Sequence, residues 1–268
     1  MTVRAVILAR GLGTRMRQSQ PGAAVDSAQS VVAATGVKAL IPIGRPFLDY
    51  VLSALADAGV DRICLVIGPE HDVVRDHYAR ASLSRVSVEF AIQPEPLGTA
   101  DAVMAAEPWA GAEPFLVLNS DNYYPVPILQ ALAALDQPGV AAFSREGLLA
   151  DGLIEPERIA RFALLELGGL HLRRIVEKPD DESARALGRD VWVSMNCWRF
   201  DARVFDVCRR VARSARGEFE LPVAVQLALD ERLFPVVAVQ THLPVLDLSS
   251  RSDIAGVATR LAGVEVRL

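Results

Sequence analysis

Cysteine is scarce in this chain, which has Cys64, Cys197 and Cys208 among its 268 residues. An odd number of widely spaced thiols gives no complete disulfide framework and is typical of a reducing compartment. The sequence also lacks C-x-x-C and H-E-x-x-H, the spacings of common zinc sites, and His71 and His77 are six residues apart, too far to share a helix face as an i, i+4 pair. The cysteines and histidines therefore predict neither a disulfide scaffold nor a metal site.

Long apolar runs and an excess of positive charge are missing as well. No stretch approaches the roughly 20 apolar residues that a membrane-spanning helix needs, and the N-terminus lacks the basic-then-apolar order of a signal peptide. The net charge is −5 at pH 7, so no overall basic field favours nucleic acid. We expect a cytoplasmic protein without membrane or nucleic-acid partners, in which a polyanionic substrate meets a local cationic site.

Strand-like and helix-like patterns alternate along the chain. Apolar runs at 6–9, 62–67, 86–92 and 115–119 are typical of buried strands, and 46–58 carries one apolar helical face. Such alternation predicts an α/β fold with a Rossmann-like, mixed but mainly parallel sheet and helices on both faces. In such a sheet, ligand sites lie at the carboxyl ends of the strands.

A glycine-rich turn, Gly11-Leu12-Gly13-Thr14-Arg15, ends the first strand. Glycines allow the backbone to approach a ligand closely, and exposed amide N–H groups beside an arginine form a concavity for anions. The dinucleotide fingerprint is not matched, because Met16 replaces its third glycine, and the ATPase loop would need a lysine after it. An ordinary strand-to-helix turn is the plain alternative. We interpret the turn as a phosphate-binding loop.

Two later strand ends carry further candidate groups. After the third strand, Gln93 begins a loop stiffened by two prolines, and its amide offers both a donor and an acceptor to a base edge; Thr99 is expected to cap the helix that follows. After the fourth strand, Asp121 is placed to hold Mg²⁺ between substrate phosphates. A turn or helix-cap aspartate is the structural alternative for Asp121.

These stretches resemble the sugar-phosphate nucleotidyltransferases, the family that makes nucleotide sugars. LARGLGTRMR (8–17) is similar to its L-A-A-G-x-G-T-R-L/M signature, VKALIPI (37–43) to P-K-x-L-x-P-V, QPEPLGTA (93–100) to its base-recognition loop, and SDN (120–122) to G-D-N. Arg10 stands where the family has a small residue, and Val37 replaces a proline. The segment 18–36 is longer than in the family, and we expect a mobile flap there.

The second half of the chain continues the resemblance with larger departures. EKP (177–179) is similar to the sugar-contacting motif, but in the N-x-G-x-Y-x-F strand Cys197 and Trp198 occupy the x-G places after Asn196. PVLDLSS (244–250) resembles W-x-D-x-G-T, whose aspartate corresponds to Asp247, although valine replaces the tryptophan and two serines replace glycine-threonine. EFELP (218–222) resembles the G-E-x-x-L-T/P element.

The resemblance implies a GT-A-like nucleotidyltransferase fold in one domain, 1–268, with a nucleotide-binding part at about 1–125 and a sugar-binding part at about 126–268. It implies Mg²⁺-dependent nucleotidyl transfer from a nucleoside triphosphate to a sugar 1-phosphate. The implied catalytic residues are Arg15, Lys38, Asp121 and Lys178, and the metal ligands Asp121 and Asp247. The implied nucleotide-binding residues are Leu8, Ala9, Gly11, Gly13, Thr14, Gln93, Gly98 and Thr99, and the sugar-binding residues Asn122, Glu177 and Asn196.

Several alternatives stay open at this point. Gln93 favours a pyrimidine, hence uridylyl or thymidylyl transfer, although GTADAV (98–103) also resembles adenylyl and guanylyl relatives. The altered surroundings of Asp247 are compatible with a catalytically silent, nucleotide-sugar-binding regulatory relative. A glycosyltransferase that consumes a nucleotide sugar is a further alternative, but it would usually carry a D-x-D motif. The sugar and any homo-oligomeric state are left open by the sequence.

Overall fold

Nine strands form one sheet in the computed structural model, which describes residues 3–180, 182 and 191–268. The strands of this part of the chain, including a separate two-stranded pair (β5 and β11), are β1 (Val3–Leu8), β2 (Val60–Ile67), β3 (Ser87–Ile92), β4 (Phe115–Asn119), β5 (Asn122–Tyr123), β6 (Gly139–Phe143), β7 (Ala163–Gly168), β8 (His171–Val176), β9 (Trp192–Phe200), β10 (Val237–Thr241) and β11 (Leu246–Asp247).

Helices connect most of these strands. The helices are α1 (Thr14–Arg17), α2 (Ser27–Thr35), α3 (Phe47–Asp57), α4 (Asp72–Arg80), α5 (Thr99–Ala105), α6 (Glu107–Ala110), α7 (Val126–Ala133), α8 (Arg145–Leu149), α9 (Pro156–Ile159), α10 (Arg203–Cys208), α11 (Leu221–Asp230) and α12 (Asp253–Leu261), with a 3₁₀ turn at Lys38–Leu40. No helix in the described ranges has both the length and the apolar character required to cross a bilayer.

The strand order in the main sheet is β3-β2-β1-β4-β9-β6-β10-β8-β7, with β7 also paired to β9. The first four of these strands are mutually parallel, and β6 and β10 are parallel to each other. Strands β8 and β9 are antiparallel to their neighbours. The predicted mixed, mainly parallel α/β sheet is confirmed.

Successive side chains of the central strand β1 enter different halves of the core, as the period of two in a strand requires. Ala5 and Ile7 pack into one apolar cluster, and Val6 and Leu8 pack into the other. Helices α3, α4, α7 and α12 cover the first face, while α5, α10 and α11 cover the second. Continuous apolar strands are needed here because both faces of the sheet are covered.

The fold brings several strand ends to one edge of the sheet. The amide of Ala9 donates to Val66 O at 2.8 Å, and that of Ser120 donates to Leu8 O at 3.2 Å. A second connection reaches from far along the chain, because Asp247 of β11 lies opposite Asn122 of β5. After β3, the amide of Gln93 donates to Ile67 O at 2.9 Å, so the stretches after β1, β3 and β4 lie at one edge of the sheet, close to the segment that carries Asp247.

Two segments are more regular than the sequence indicates. The expected flap contains the nine-residue helix α2, whose Asp26 and Gln29 form a reciprocal capping box at 2.8 and 3.1 Å. Residues 145–160, in which the sequence shows no clear periodicity, contain α8 and α9. Helices of four and five residues are too short to produce a readable apolar period, which explains why the pattern did not predict them.

Candidate active site

A cavity of about 390 Å³ lies at the carboxyl ends of β1, β3 and β4. Eleven residues with a predicted role line it: Leu8, Ala9, Gly11, Gly13, Thr14, Arg15, Lys38, Gln93, Gly98, Thr99 and Asp121. The predicted nucleotide-binding residues therefore lie around the same space as three of the four predicted catalytic residues. Glu218 and Ser249 reach this cavity from the second half of the chain.

The glycine-rich turn forms the exposed wall of the cavity. Arg15 is exposed and, within the described residues, has no ion-pair partner, so its guanidinium is available to an anion. Gly13 has φ +59°, and a Cβ at this position would lie 2.1 Å from the carbonyl oxygen of Gly36. Glycine is required there because the turn contacts the end of helix α2, a contact that the motif alone does not reveal.

Lys38 forms an ion pair with Asp121 across the cavity floor. The side chains are 17% and 20% exposed, so the pair is largely shielded but still reachable from solvent. The 3₁₀ turn at Lys38–Leu40 places the lysine, and the end of β4 places the aspartate. A cation and a carboxylate thus stand together beside the phosphate-binding turn.

Asp247 is adjacent to Asp121 through the β5–β11 pair. The amide of Leu248, one residue after Asp247, donates to Asp121 O at 2.8 Å. Asp247 is 5% exposed and does not line the cavity itself. Its burial, followed by the charge of Asp121, raises the pKa of Asp247 to about 6. The two predicted acidic residues therefore converge, with Asp121 at the surface of the cavity and Asp247 beneath it.

Arg158 of α9 completes this acidic region, and the sequence motifs did not predict it. Its Nη2 lies 2.9 Å from Asp247 Oδ2, and its Nη1 lies 2.8 Å from Asp253 Oδ1. Asp253 in turn accepts hydrogen bonds from the amides of Ser249 and Ser250 at 3.0 and 2.6 Å. Because Arg158 lies in a short helix far along the sequence from its partners, no local motif marks it.

Gln93 has an amide whose orientation is fixed by its partners. Its Nε2 donates to Gly98 O at 3.1 Å and to Asp101 Oδ2 at 2.7 Å. A carbonyl and a carboxylate are both acceptors, so the NH₂ group must face them. Within the described part of the chain, its Oε1 has no donor. Gln93 therefore offers the cavity a hydrogen-bond acceptor.

The loop that starts at Gln93 is held from two sides. Buried Arg10 donates from Nε to Gln93 O at 3.1 Å and from Nη2 to Pro94 O at 3.4 Å. On the other side, the amide of Phe219 donates to Leu97 O at 2.6 Å. Arg10, which replaces a small residue of the family signature, and the 218–222 element therefore both hold the base-recognition loop in place.

The expectation that Thr99 caps helix α5 is wrong. The cap residue is Gly98, which has φ +108°, and no side chain caps the helix. A Cβ on Gly98 would lie 2.5 Å from Phe219 O. Thr99 Oγ1 instead accepts a hydrogen bond from the amide of Leu221 at 2.9 Å. The Thr99 hydroxyl therefore connects the loop to helix α11 and does not cap the N-terminus of α5.

Glu177 and Lys178 follow strand β8, and their side chains lie 3.6 Å apart. Neither lines the cavity. Arg216 connects Glu177 to the cavity, because its Nη2 lies 3.7 Å from Glu177 and 3.5 Å from the cavity residue Glu218. Arg216 also pairs with Glu220. Burial, followed by the nearby Glu220 carboxylate, raises the pKa of Glu177 to about 7. An ionic network thus extends from the cavity to the predicted sugar side.

Two predicted sugar-binding residues have other partners. Asn122 is 3% exposed, donates to Asp247 Oδ1 at 3.1 Å and accepts from Asn119 at 3.3 Å, so it lies beneath the cavity. Asn196 has φ +55° at an irregularity of the β6–β9 pairing, and its Oδ1 accepts from Trp198 Nε1 at 3.3 Å. Trp198 itself is fully buried. Trp198, which stands where the N-x-G pattern has its glycine, therefore fills space in the core.

Comparison with solved structures shows the same fold in UDP-glucose pyrophosphorylase. A structure of that protein complexed with UDP-glucose superposes with a TM-score of 0.77 at 17% identity, covering 99% of this chain and 100% of the other. An apo structure gives a TM-score of 0.74 at 16% identity, covering 98% of each chain. At such low identity the comparison shows the fold alone, and it confirms the predicted GT-A-like nucleotidyltransferase architecture.

Curated relatives are similar over most of this chain. Bifunctional protein GlmU of Methanococcus vannielii is 26% identical over 231 residues, which are 84% of this chain and 47% of the relative. UTP–glucose-1-phosphate uridylyltransferase YngB of Bacillus subtilis is 25% identical over 256 residues, 83% of this chain and 77% of the relative. The low-salt glycan biosynthesis nucleotidyltransferase Agl11 of Haloferax volcanii is 23% identical over 231 residues, 85% of this chain and 58% of the relative. The match spans about half the length of GlmU and somewhat more of Agl11.

A family model covers nearly the whole chain. The model described as nucleotidyl transferase matches residues 4–239, which include the glycine-rich turn, the base-recognition loop and Asp121. The resemblance seen in the sequence motifs and the fold seen in the structure agree with this match. The chain therefore belongs to the nucleotidyl transferase family.

Proposed function

We propose that this protein transfers a nucleotidyl group from UTP or dTTP to a hexose 1-phosphate, releasing pyrophosphate and forming a nucleotide sugar. The observation that carries this proposal is the meeting of Arg15, Lys38 and Asp121 around the cavity that also holds the base-recognition loop. A triphosphate needs cations at one end and a base contact at the other. This cavity offers both.

The fixed amide of Gln93 supports the choice of base. Its free Oε1 accepts a hydrogen bond, which suits the ring N–H of uracil, thymine or guanine. Adenine and cytosine present a ring nitrogen acceptor at that edge and match less well. YngB, whose name states UTP as a substrate, matches 83% of this chain. We therefore propose uracil or thymine as the preferred base, and we include GTP in the test because guanine also has a ring N–H.

The chemistry requires charge neutralisation more than covalent help. In the proposed step, an oxygen of the sugar phosphate attacks the α-phosphorus in line, the bond to the β-phosphate oxygen breaks, and pyrophosphate leaves. Two like unit charges at 4 Å repel by about 4 kcal/mol at the effective dielectric of a protein surface. Arg15 and the Gly11–Gly13 amides would bind the departing phosphates, and Lys38 would offset charge nearby. Lys178 would orient the attacking phosphate. Because that phosphate is already ionised, no general base is required.

The residues also suit a divalent cation that arrives with the triphosphate. Among the described residues no group of three or more His, Cys, Asp or Glu side chains could hold a metal by itself. Mg²⁺ commonly binds through one or two carboxylates, with phosphates and waters completing its shell. Asp121 lines the cavity and would supply such a carboxylate. When bound, Mg²⁺ would neutralise charge between the reacting phosphates.

The proposal is tested by incubating the protein with Mg²⁺, each of five triphosphates (UTP, dTTP, GTP, ATP, CTP) and a panel of hexose 1-phosphates. Pyrophosphate release and nucleotide-sugar formation are measured together. We expect activity with UTP or dTTP, and we expect Asp121→Asn to lower kcat by about 100-fold or more, the scale of losing one electrostatic group.

Asp206→Asn is the matched control, because it makes the same chemical change at an exposed residue of α10 that pairs with Arg209. It should keep wild-type turnover. Binding of triphosphate without pyrophosphate release under any combination would instead identify a silent regulatory relative. Consumption of an added nucleotide sugar would identify a glycosyltransferase.

A further inference from the structure

Arg158 lies between two buried carboxylates at the base of the cavity. Its guanidinium is bidentate to Asp253, with both N–O distances 2.8 Å, and its Nη2 is also 2.9 Å from Asp247 Oδ2. We propose that Arg158 is a built-in cation for Asp247, so that Asp247 is a positioning residue and Asp121 is the carboxylate that binds the divalent cation. This inference rests on the proposed nucleotidyl transfer.

Asp247 is surrounded by protein groups that donate to it or offset its charge. Asn122 Nδ2 donates to Oδ1 at 3.1 Å, and Arg158 Nη2 forms an ion pair with Oδ2 at 2.9 Å. The Ser249 hydroxyl oxygen lies 2.9 and 3.0 Å from Oδ1 and Oδ2, and its single proton is donated to one of them. A metal ion that bound Asp247 would meet a carboxylate that Arg158 already neutralises and that does not line the cavity.

Asp121 differs in both access and partners. Its Oδ2 pairs with Lys38, and within the described residues its Oδ1 has no donor. Its side chain is 20% exposed and lines the cavity, whereas that of Asp247 is 3% exposed. A cation that enters with a triphosphate therefore meets Asp121 first and finds a free oxygen there.

The position of Arg158 is fixed by Asp253 rather than by Asp247. Asp253 Oδ2 accepts from the amides of Ser249 and Ser250, and from the Ser250 hydroxyl at 2.8 Å. These two serines stand where the family motif has glycine and threonine. The Ser249 hydroxyl, which a glycine would lack, donates to Asp247. The altered motif and Arg158 therefore belong to one network around Asp247, in which Arg158 supplies the positive charge.

An arginine retains its positive charge at every physiological pH. It can therefore give Asp247 a permanent counter-charge, while a metal ion comes and goes with substrate. In this arrangement the metal shell is completed by phosphates and water around Asp121, and Asp247 holds Asn122 and Ser249 in place. The chain then needs the second carboxylate for geometry and not for coordination.

Mn²⁺ binding separates the two roles without turnover. Mn²⁺ is titrated into the protein with an α,β-methylene analogue of UTP and followed by electron paramagnetic resonance. Asp247→Asn should keep the wild-type Mn²⁺ affinity, as should its matched control Asp253→Asn, which removes the other carboxylate partner of Arg158. Asp121→Asn should weaken Mn²⁺ binding by about tenfold or more. Activity is expected to fall in these variants, and for that reason binding is the measurement.

Arg158→Gln provides a second measurement that does not depend on Asp247→Asn folding. Freeing Asp247 should tighten Mn²⁺ binding or add a second bound Mn²⁺, while Arg158→Lys, which keeps the charge, should resemble the wild type. The inference is overturned if Asp247→Asn weakens Mn²⁺ binding as much as Asp121→Asn does, or if Arg158→Gln leaves binding unchanged or weaker. Failure of the wild type to bind Mn²⁺ with the analogue would overturn the proposed function as well, and is a different result.

Discussion

Arg10 holds the base-recognition loop in position through hydrogen bonds to the backbone of that loop. It is 8% exposed, and its guanidinium donates to the carbonyls of Gln93 and Pro94. Its Nη1 also pairs with Glu70 at 2.7 Å. A small residue at this position could not make these hydrogen bonds. We infer that the departure from the family signature changes how the loop is held and leaves the phosphate-binding turn intact.

Arg10→Ala should therefore weaken triphosphate binding more than it slows the chemical step. Hydrogen bonds from a charged donor contribute about 1.5–3 kcal/mol, so we expect the KM for the triphosphate to rise by about tenfold or more, with a smaller change in kcat. Steady-state kinetics with UTP and dTTP measure the effect, and a thermal melt checks that the variant is folded.

Glu70→Gln is the control for the Arg10 variant. It removes the ion pair of Arg10 but keeps the guanidinium bonded to the loop carbonyls. The Glu70 side chain is 52% exposed, and ion pairs of exposed side chains contribute little. We expect a KM close to that of the wild type. Equal changes in the two variants would place the effect in the ion pair and refute the loop-holding role.

The place of a site residue is predictable from the sequence where the residue follows the end of a strand. Gln93 directly follows one predicted strand, and Asp121 is the second residue after another. The carboxyl ends of parallel strands share one edge of the sheet, so their common location was predictable. Arg158 was not predictable, because it lies in a four-residue helix and its partner Asp253 is 95 positions away. The structural role of Asn122 was not predictable either. Its neighbour Asp121 lines the cavity, whereas the amide of Asn122 donates to Asp247.

At the scale of elements, helix α2 is a support for the phosphate-binding turn. Its C-cap Gly36 has φ +78° and lines the cavity together with Lys38. A Cβ on Gly36 would lie 2.7 Å from Leu12 O in the turn. Arg251, from the segment after Asp247, donates to Met16 O at 2.9 Å and to Ser30 at 3.1 Å. The lengthened segment thus joins the turn to the acidic region.

Gly36→Ala should disturb this support. The left-handed conformation and the contact with Leu12 O both oppose a methyl group, so we expect a loss of about 1–3 kcal/mol in the free energy of unfolding. We also expect a higher KM for the triphosphate, because the end of α2 leads into Lys38. Urea denaturation and steady-state kinetics measure the two effects.

Gly22→Ala is the matched control within the same segment. Gly22 has φ +83°, but no atom lies within 4 Å of a Cβ built on it. This variant carries the conformational strain alone, so it should lose less stability and keep the wild-type KM. A normal KM in Gly36→Ala would show that the turn does not depend on α2.

Element positions were predicted well where apolar periodicity is long. The helix expected at 46–58, where one apolar face runs through the whole segment, is α3 (Phe47–Asp57). The sequence missed the full extent of α2, because its apolar face is weak and small residues dominate it. The docking of α2 depends on contacts with Gly13 and Arg251, which come from other parts of the chain.

At the scale of the whole molecule, the two predicted parts of the chain interlock. Strand β9, from the sugar-binding part, pairs with β4 of the nucleotide-binding part on one side and with β6 on the other. Strand β5, at the end of the first part, pairs with β11 near the end of the described chain. Separating the parts would break a sheet in its middle. We therefore predict that both unfold together, as one domain would.

Trp109→Phe allows this cooperativity to be measured, because it leaves Trp192 and Trp198, both in β9, as the fluorescent probes of the sugar-binding part. Far-UV circular dichroism of the same variant reports on all helices and strands. We expect the urea midpoints of the two signals to coincide.

Mg²⁺-UTP provides a second measurement, because it is proposed to bind mainly to the nucleotide-binding part. At 100 times its Kd it should stabilise the folded state by about 2.7 kcal/mol. Both midpoints should then rise by the same amount. A fluorescence midpoint that stays in place while the dichroism transition splits would show instead that β9 and its neighbours unfold independently of the nucleotide site.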